Sequence, residues 1–172
     1  MCVSFKSQQM MITAPQLIQQ YHLQPHPEGG WYRETYRSRE TISSLSLPGR
    51  FGAERNFSTA IYFLLEQGNF SAFHKIKSDE CWHFYAGDPL ELFILEQSGN
   101  LTTILLGPAQ AFQYIVPANC WFASRPATGS KYCFMGCTVA PGFDFADFEI
   151  GDSKELSTLY PRHEILIKEL CR

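Results

Sequence analysis

Residues Phe70 to Gly87 read FSAFHKIKSDECWHFYAG. The segment divides into a strand carrying His74, a polar turn at Ser78-Asp79, and a second strand opening with Glu80. Alternate residues of a strand share a face. Glu80, Trp82 and Phe84 therefore point one way, and Cys81, His83 and Tyr85 the other. A carboxylate on the same face as two large aromatics is out of place in an ordinary core strand. It fits a strand that lines a pocket, with His74 and Glu80 aimed into one cavity.

Outward from this segment the chain is a series of short strands punctuated by Gly and Pro. Residues 1–12 read as a loose leader. Thr13 is a helix N-cap with Pro15 in the first turn, and a short helix runs to about His22 with Leu17, Ile18 and Tyr21 on one side. Pro25 and Pro27 end it. Gly29-Gly30 is a turn, and Trp31 to Arg37 alternates as a strand does. Thr41 to Gly52 is a loop or hairpin. Ser58 to Leu65 is a buried strand. Leu90 to Leu95 and Leu101 to Leu106 form a hairpin about Ser98-Gly99-Asn100. Further strands fall at Gln113 to Val116 and Lys131 to Val139. Phe143 to Phe148 reads as an alternating aromatic and acidic strand with Phe143, Phe145 and Phe148 inward. Asp152-Ser153 caps one helix, and Pro161 opens another that reaches Leu170 with Ile165, Leu166 and Leu170 as its apolar face. Strands in such number imply a sandwich or barrel. The expected organisation is one domain over residues 13–172, with the barrel at 30–150 and helices at 153–171.

Composition narrows the function classes. At 172 residues, with 45% apolar and 18% charged residues, the chain suffices for one core. A net charge of −3 lacks the basic surface expected of a nucleic-acid binder. No run approaches the roughly 18 apolar residues of a membrane helix. The opening MCVSFKSQQMM does not read as a signal peptide. The six cysteines form neither C-x-x-C nor zinc-finger spacing, so free thiols and a cytoplasmic location are expected.

The Phe70–Gly87 segment resembles the first motif of the cupin superfamily, G-x5-H-x-H-x3,4-E-x6-G. Glu80-x6-Gly87 matches, and His74 stands at the first histidine. Ile76 replaces the second histidine, and Asn69 lies near the leading glycine. Val116 to Trp121 (VPANCW) occupies the place of the second motif, P-x-G-x-x-H, with Asn119 at the glycine and Phe122 at the histidine. The closer resemblance is to the fifth cupin domain family, carried by HPEGGWYRETYRS (His26 to Ser38), STAIYFLL (Ser58 to Leu65), SDECWHFYAGDPL (Ser78 to Leu90), VPANCW, and TVAPGFDFADFEI (Thr138 to Ile150). It implies an all-β jelly roll, or double-stranded β-helix, with a few peripheral helices, and a homodimer paired through the N-terminal strand.

The resemblance extends in fold to the dTDP-sugar 3,5-epimerases, which need no metal and move a proton next to a carbonyl. It implies a small-molecule pocket and isomerase- or epimerase-like chemistry on a carbohydrate-type ligand. His74 and Glu80 are the acid–base candidates, and Tyr132, with Tyr62 behind it, is the candidate acid. Glu28, Trp82, Phe84 and Trp121 are candidate ligand contacts, and Arg33 or Arg55 a candidate anion contact through bidentate hydrogen bonds. His26 precedes the barrel strands, and a folded-over N-terminal strand would bring it near. No cofactor is expected. The alternatives are a metal-dependent cupin enzyme holding a divalent transition metal at His74 and Glu80, and a binding module without chemistry.

Overall fold

Thr13 caps the first helix of the computed structural model, which describes residues 12–172. Gln16 Oε1 accepts from the Thr13 backbone N–H at 2.8 Å and from its hydroxyl at 2.9 Å. This is the reach-back half of a capping box. The leader expected at residues 1–12 lies, apart from Ile12, outside the described residues. In chain order the elements are α1 (Ala14–Tyr21), β1 (Gln24–Pro25), β2 (Trp31–Arg37), β3 (Thr41–Ile42), β4 (Arg55–Asn56), β5 (Thr59–Glu66), β6 (Ser71–Lys75) and β7 (Asp79–Gly87). They continue as β8 (Leu90–Leu95), β9 (Leu101–Leu106), β10 (Gln113–Val116), β11 (Trp121–Pro126), β12 (Tyr132–Ala140), β13 (Glu149–Ile150), α2 (Ser153–Leu159) and α3 (Glu164–Leu170).

Two antiparallel sheets face one another. One has the order β1-β2-β5-β12-β7-β10, the other β13-β6-β11-β8-β9, and β3-β4 is a small separate ladder. Neighbours such as β12 and β7 are far apart in sequence, which is the crossover pattern of a jelly roll. Period-2 alternation then sorts every strand into an inner and an outer face. The inner faces meet in a core of Phe63, Leu65, Trp82, Leu92, Phe122 and Met135. The outer face of the five-stranded sheet is covered by α2 and α3, through Phe73, Phe93, Trp121, Leu156, Ile167 and Leu170. The outer face of the six-stranded sheet is partly covered by α1, through Leu17, Leu64 and Phe134. No helix among the described residues is long and apolar enough to cross a membrane.

Two local expectations change. Phe143 to Phe148 is no strand. Asp144 Oδ1 accepts from Ala146 N–H at 2.8 Å and starts a single 3-10 turn, Phe145–Asp147. A short side-chain acceptor competes with the sheet ladder for that backbone. In α3 the buried face is Ile167 and Leu170, while Ile165 is 78% exposed. The helix begins at Glu164, after a separate 3-10 turn at Pro161–His163, which rotates the expected face.

Candidate active site in the barrel

A cavity of about 300 Å³ opens between the sheets at the end bounded by β2, β5, β7 and the 143–148 turn. Its polar floor starts from the Gly29-Gly30 turn. Both glycines have positive φ, +113° and +74°. A Cβ on Gly29 would lie 2.1 Å from Phe70 O, and one on Gly30 2.7 Å from Leu64 O. Only glycine allows this backbone so close to its neighbours. The turn lays Glu28 across β6: its carbonyl accepts from Ala72 N–H at 2.8 Å, and its Oε1 accepts from the Ser71 hydroxyl at 2.8 Å.

Glu28 Oε2 lies 3.1 Å from His74 Nε2 and 3.6 Å from His26 Nδ1. His74 Nδ1 is 2.7 Å from Ala72 O. A carbonyl can only accept, so Nδ1 carries a proton and Nε2 is the atom that shares one with Glu28. His26 Nδ1 accepts from the Glu28 backbone N–H at 3.3 Å. Glu80, 8% exposed, enters the same cavity from β7. Among the described residues it makes no ion pair, and the buried Cys137 thiol of β12 lies beside it in the same cavity.

Burial sets the charge state. It pushes Glu80 up to about 7, against the pull of His74 and with the repulsion of Glu28. Burial also raises Glu28, with His26 and the Ser71 bond opposing. It lowers His74 despite Glu80 and Ala72, and lowers His26 despite Glu28. Acids move up and bases down, so the cluster favours neutral, proton-sharing forms. Cys137 is driven well above the ordinary thiol value by burial and then by Glu80, so it is a thiol and not a thiolate.

The walls are aromatic. Phe143, Phe145 and Phe148 line the cavity, with ring centroids 5.0 to 6.3 Å apart and planes at 70° to 80°. His26 lies edge-on to Tyr32 at 4.5 Å, and His74 lies 4.1 Å from Phe122 and 5.4 Å from Phe148. At the mouth, Arg37 makes two bonds to Glu34, of 2.7 and 3.0 Å.

The expected site residues divide. His74, Glu80 and Glu28 line the cavity. Arg33 does not: it pairs with Tyr62 on the outer face, and Nη1 donates to Tyr21 O at 3.3 Å. Arg55 does engage a carboxylate in bidentate fashion, but an internal one, Asp147. Tyr132 lies against α1 with its hydroxyl donating to Ile12 O at 2.8 Å, and Tyr62 packs on Tyr21 and Phe134. Trp82 shares the Glu80 face as expected, but it is 1% exposed and fills the core between Phe63 and Phe122. Phe84 packs against the same core beside Phe112 and does not reach the cavity. Trp121 has the opposite parity to Phe122 and lies under α2 and α3, with Lys75 Nζ 4.4 Å from its ring.

Residues that sequence reasoning passed over are Tyr32, Arg37 and Cys137. Parity within β2 could have given Tyr32. Arg37 was hidden by a bulge between Glu34 and Tyr36, which returns Arg37 to the inner face that Glu34 occupies.

The donor set does not fit a metal. Cupin ligand places fall on Ile76, which lines the cavity with carbon, and Phe122, whose ring covers His74. The free nitrogen of His74 is engaged by Glu28. Among the described residues no group of three or more His, Cys, Asp or Glu side chains is arranged to hold a metal ion. Asn119, at the glycine place of the second motif, has φ +62°, so the turn persists although the ligand does not.

Two packed antiparallel sheets with an inner cavity and these motif remnants define a cupin barrel. The chain belongs to the family described as cupin superfamily (DUF985), which matches residues 15–151. It is 35% identical to a hypothetical protein from Leishmania major, covering 93% of this chain and 99% of that one with a TM-score of 0.84. It is 36% identical to protein SO0799 from Shewanella oneidensis, covering 94% and 99% with a TM-score of 0.83. An uncharacterised protein of Saccharomyces cerevisiae, YML079W, is 28% identical over 77% of this chain and 72% of its own length. Oxalate decarboxylase from Bacillus subtilis, 14% identical with a TM-score of 0.53 over 85% of this chain and 36% of that one, shares the fold.

Proposed function

We propose that this cupin binds a small organic molecule in the barrel cavity and moves a proton on it, as an isomerase or epimerase does, on a ligand of carbohydrate type. The observation that carries the reading is Glu80. It is buried, lacks an ion pair among the described residues, faces a cavity of ligand size, and is held near pH 7, where an acid–base group works best. The His74–Glu28 pair beside it stores one exchangeable proton.

The step balances without redox change. The Glu80 carboxylate takes a proton from a carbon next to a carbonyl, and the C–H electron pair moves into an enolate. The His74–Glu28 pair protonates the enolate oxygen. Return of a proton to carbon gives the isomer. His74 thereby serves as the proton store, a role suited to an imidazole whose Nε2 is already engaged, and the acid role considered for Tyr132 passes to this pair. Gln24, Glu34 and Arg37 at the mouth suit ligand hydroxyls.

The test is NMR in deuterium oxide with a panel of sugar nucleotides, aldoses and ketoses. Wild type should wash deuterium into a carbon-bound position of at least one. Glu80→Gln should lose about a hundredfold or more in that rate, as loss of a general acid–base group does. Binding of panel members without exchange would overturn the enzymatic part and leave a ligand-binding module. Equal exchange by Glu80→Gln would remove Glu80 from the chemistry.

A further inference from the structure

We propose that the ligand carries a positively charged amine, seated in the corner made by Phe143, Phe145 and Phe148 and countered by Glu80. This rests on the cavity being the ligand site, as in the reading above, and specifies what enters it.

Phe143, Phe145 and Phe148 all line the cavity, with ring planes nearly perpendicular to one another at centroid separations of 5.0 to 6.3 Å. Ring faces carry negative charge density, and aromatic corners of this kind hold ammonium groups. Phe145 is 52% exposed at the mouth, an apolar face that a methylated or alkyl ammonium would cover.

The charges of the cavity point the same way. Glu28 already has Ser71, His74 and His26 about it. Glu34 has Arg37. Glu80 is more than nine-tenths buried, reaches the cavity, and has no cation within ion-pair distance among the described residues. An isolated buried carboxylate is costly, and a ligand cation removes that cost. An anionic ligand finds no such opening. Arg37, the one guanidinium on the wall among the described residues, spends four of its five N–H donors on Glu34, Asn56 and Phe143 O. An anion would have to displace them and approach Glu28, Glu34 and Glu80.

The test is titration calorimetry on the full chain. Choline is compared with dimethylbutanol, its uncharged carbon isostere, and glucosamine with glucose and glucuronate. Choline and glucosamine should bind at least about tenfold more tightly than their uncharged counterparts. Glu80→Gln should weaken the charged probes about tenfold more than it weakens the uncharged ones. Phe145→Leu, at an exposed position and checked by its melting curve, should weaken choline most. Equal affinity for charged and uncharged probes, preference for glucuronate, or binding by neither choline nor glucosamine would overturn the proposal. Choline binding that survives while no ligand shows proton exchange would sink the proton-transfer reading alone.

Discussion

Asp147 and Phe148 are adjacent in the chain but belong to two differently built clusters. Asp147 sits in a satisfied one. Arg55 holds both its oxygens at 2.5 and 2.6 Å, Lys77 adds a contact at 3.1 Å, and both Arg55 and Asp147 are buried. Burial alone would raise the Asp147 carboxyl, but the bonds from Arg55 and Lys77 outweigh it and hold it below the usual range. Phe148 packs on His26 and His74, over a cluster in which, among the described residues, Glu80 meets no cation and burial raises the acids. The two clusters are similarly buried and similarly rich in ionisable groups. The difference is pairing: a buried acid with a full set of partners is fixed in one state, and one without is left able to trade protons. Burial by itself therefore does not mark a site of chemistry.

The sharpest way to break this contrast is Asp147→Ala. It strands Arg55 in the interior and should cost about 3–5 kcal/mol in denaturant unfolding. The double variant Arg55→Met, Asp147→Leu should recover most of the loss. If Asp147→Ala unfolds at the wild-type midpoint, the pair is no clamp.

Glu80→Gln comes next, with the opposite sign. The folded pKa of Glu80, about 7, lies above its ordinary 4.5. The folded state therefore holds the proton longer, and the stability that this gives is lost as pH rises from 4.5 through about 7. Over that window the wild type should lose about 3 kcal/mol relative to Glu80→Gln. Glu28, also raised, acts in the same sense. His26 and His74, lowered by burial, add stability as pH rises toward 6.5. Subtracting variant from wild type at each pH leaves the share due to Glu80. A flat difference would mean that Glu80 is paired after all.

Lys77→Met should have the smallest effect. Its side chain is 33% exposed, and Asp147 keeps Arg55, so the change should stay within about 1 kcal/mol by thermal melting. A larger loss would make Lys77 part of the clamp.

What the sequence disclosed follows the range over which each rule acts. Alternation is local, so the shared face of Glu80 and Trp82, and the Leu90–Leu106 hairpin, could be read directly. Alternation does not say how deep a residue lies. Trp82 and Glu80 share a face, yet only Glu80 reaches open space. Parity also fails beyond a bulge: alternation from Tyr32 places Arg33 on the outer face, but the bulge after Glu34 hides Arg37, which returns to the wall. The partner of Arg55 is 92 residues away, and no local pattern connects them. The turn at Phe145–Asp147 was read as a strand because its aromatics alternate, although Asp144 was present to cap it.

The Gly29-Gly30 turn has a consequence for how the chain acquires its site. Glu28 meets Ser71 across 43 positions, and the aromatic wall is tied back through Arg55 and Asp147 across 92. Each contact closes a long loop before it yields any stabilisation. Chains dominated by such non-local pairings fold in milliseconds to seconds, whereas local hairpins close in microseconds. The Leu90–Leu106 hairpin can thus form early, and the cavity is completed only once both ends of the barrel have been threaded into place. A chain caught partway has its strands but not its pocket, so ligand binding reports the finished fold more strictly than secondary structure does.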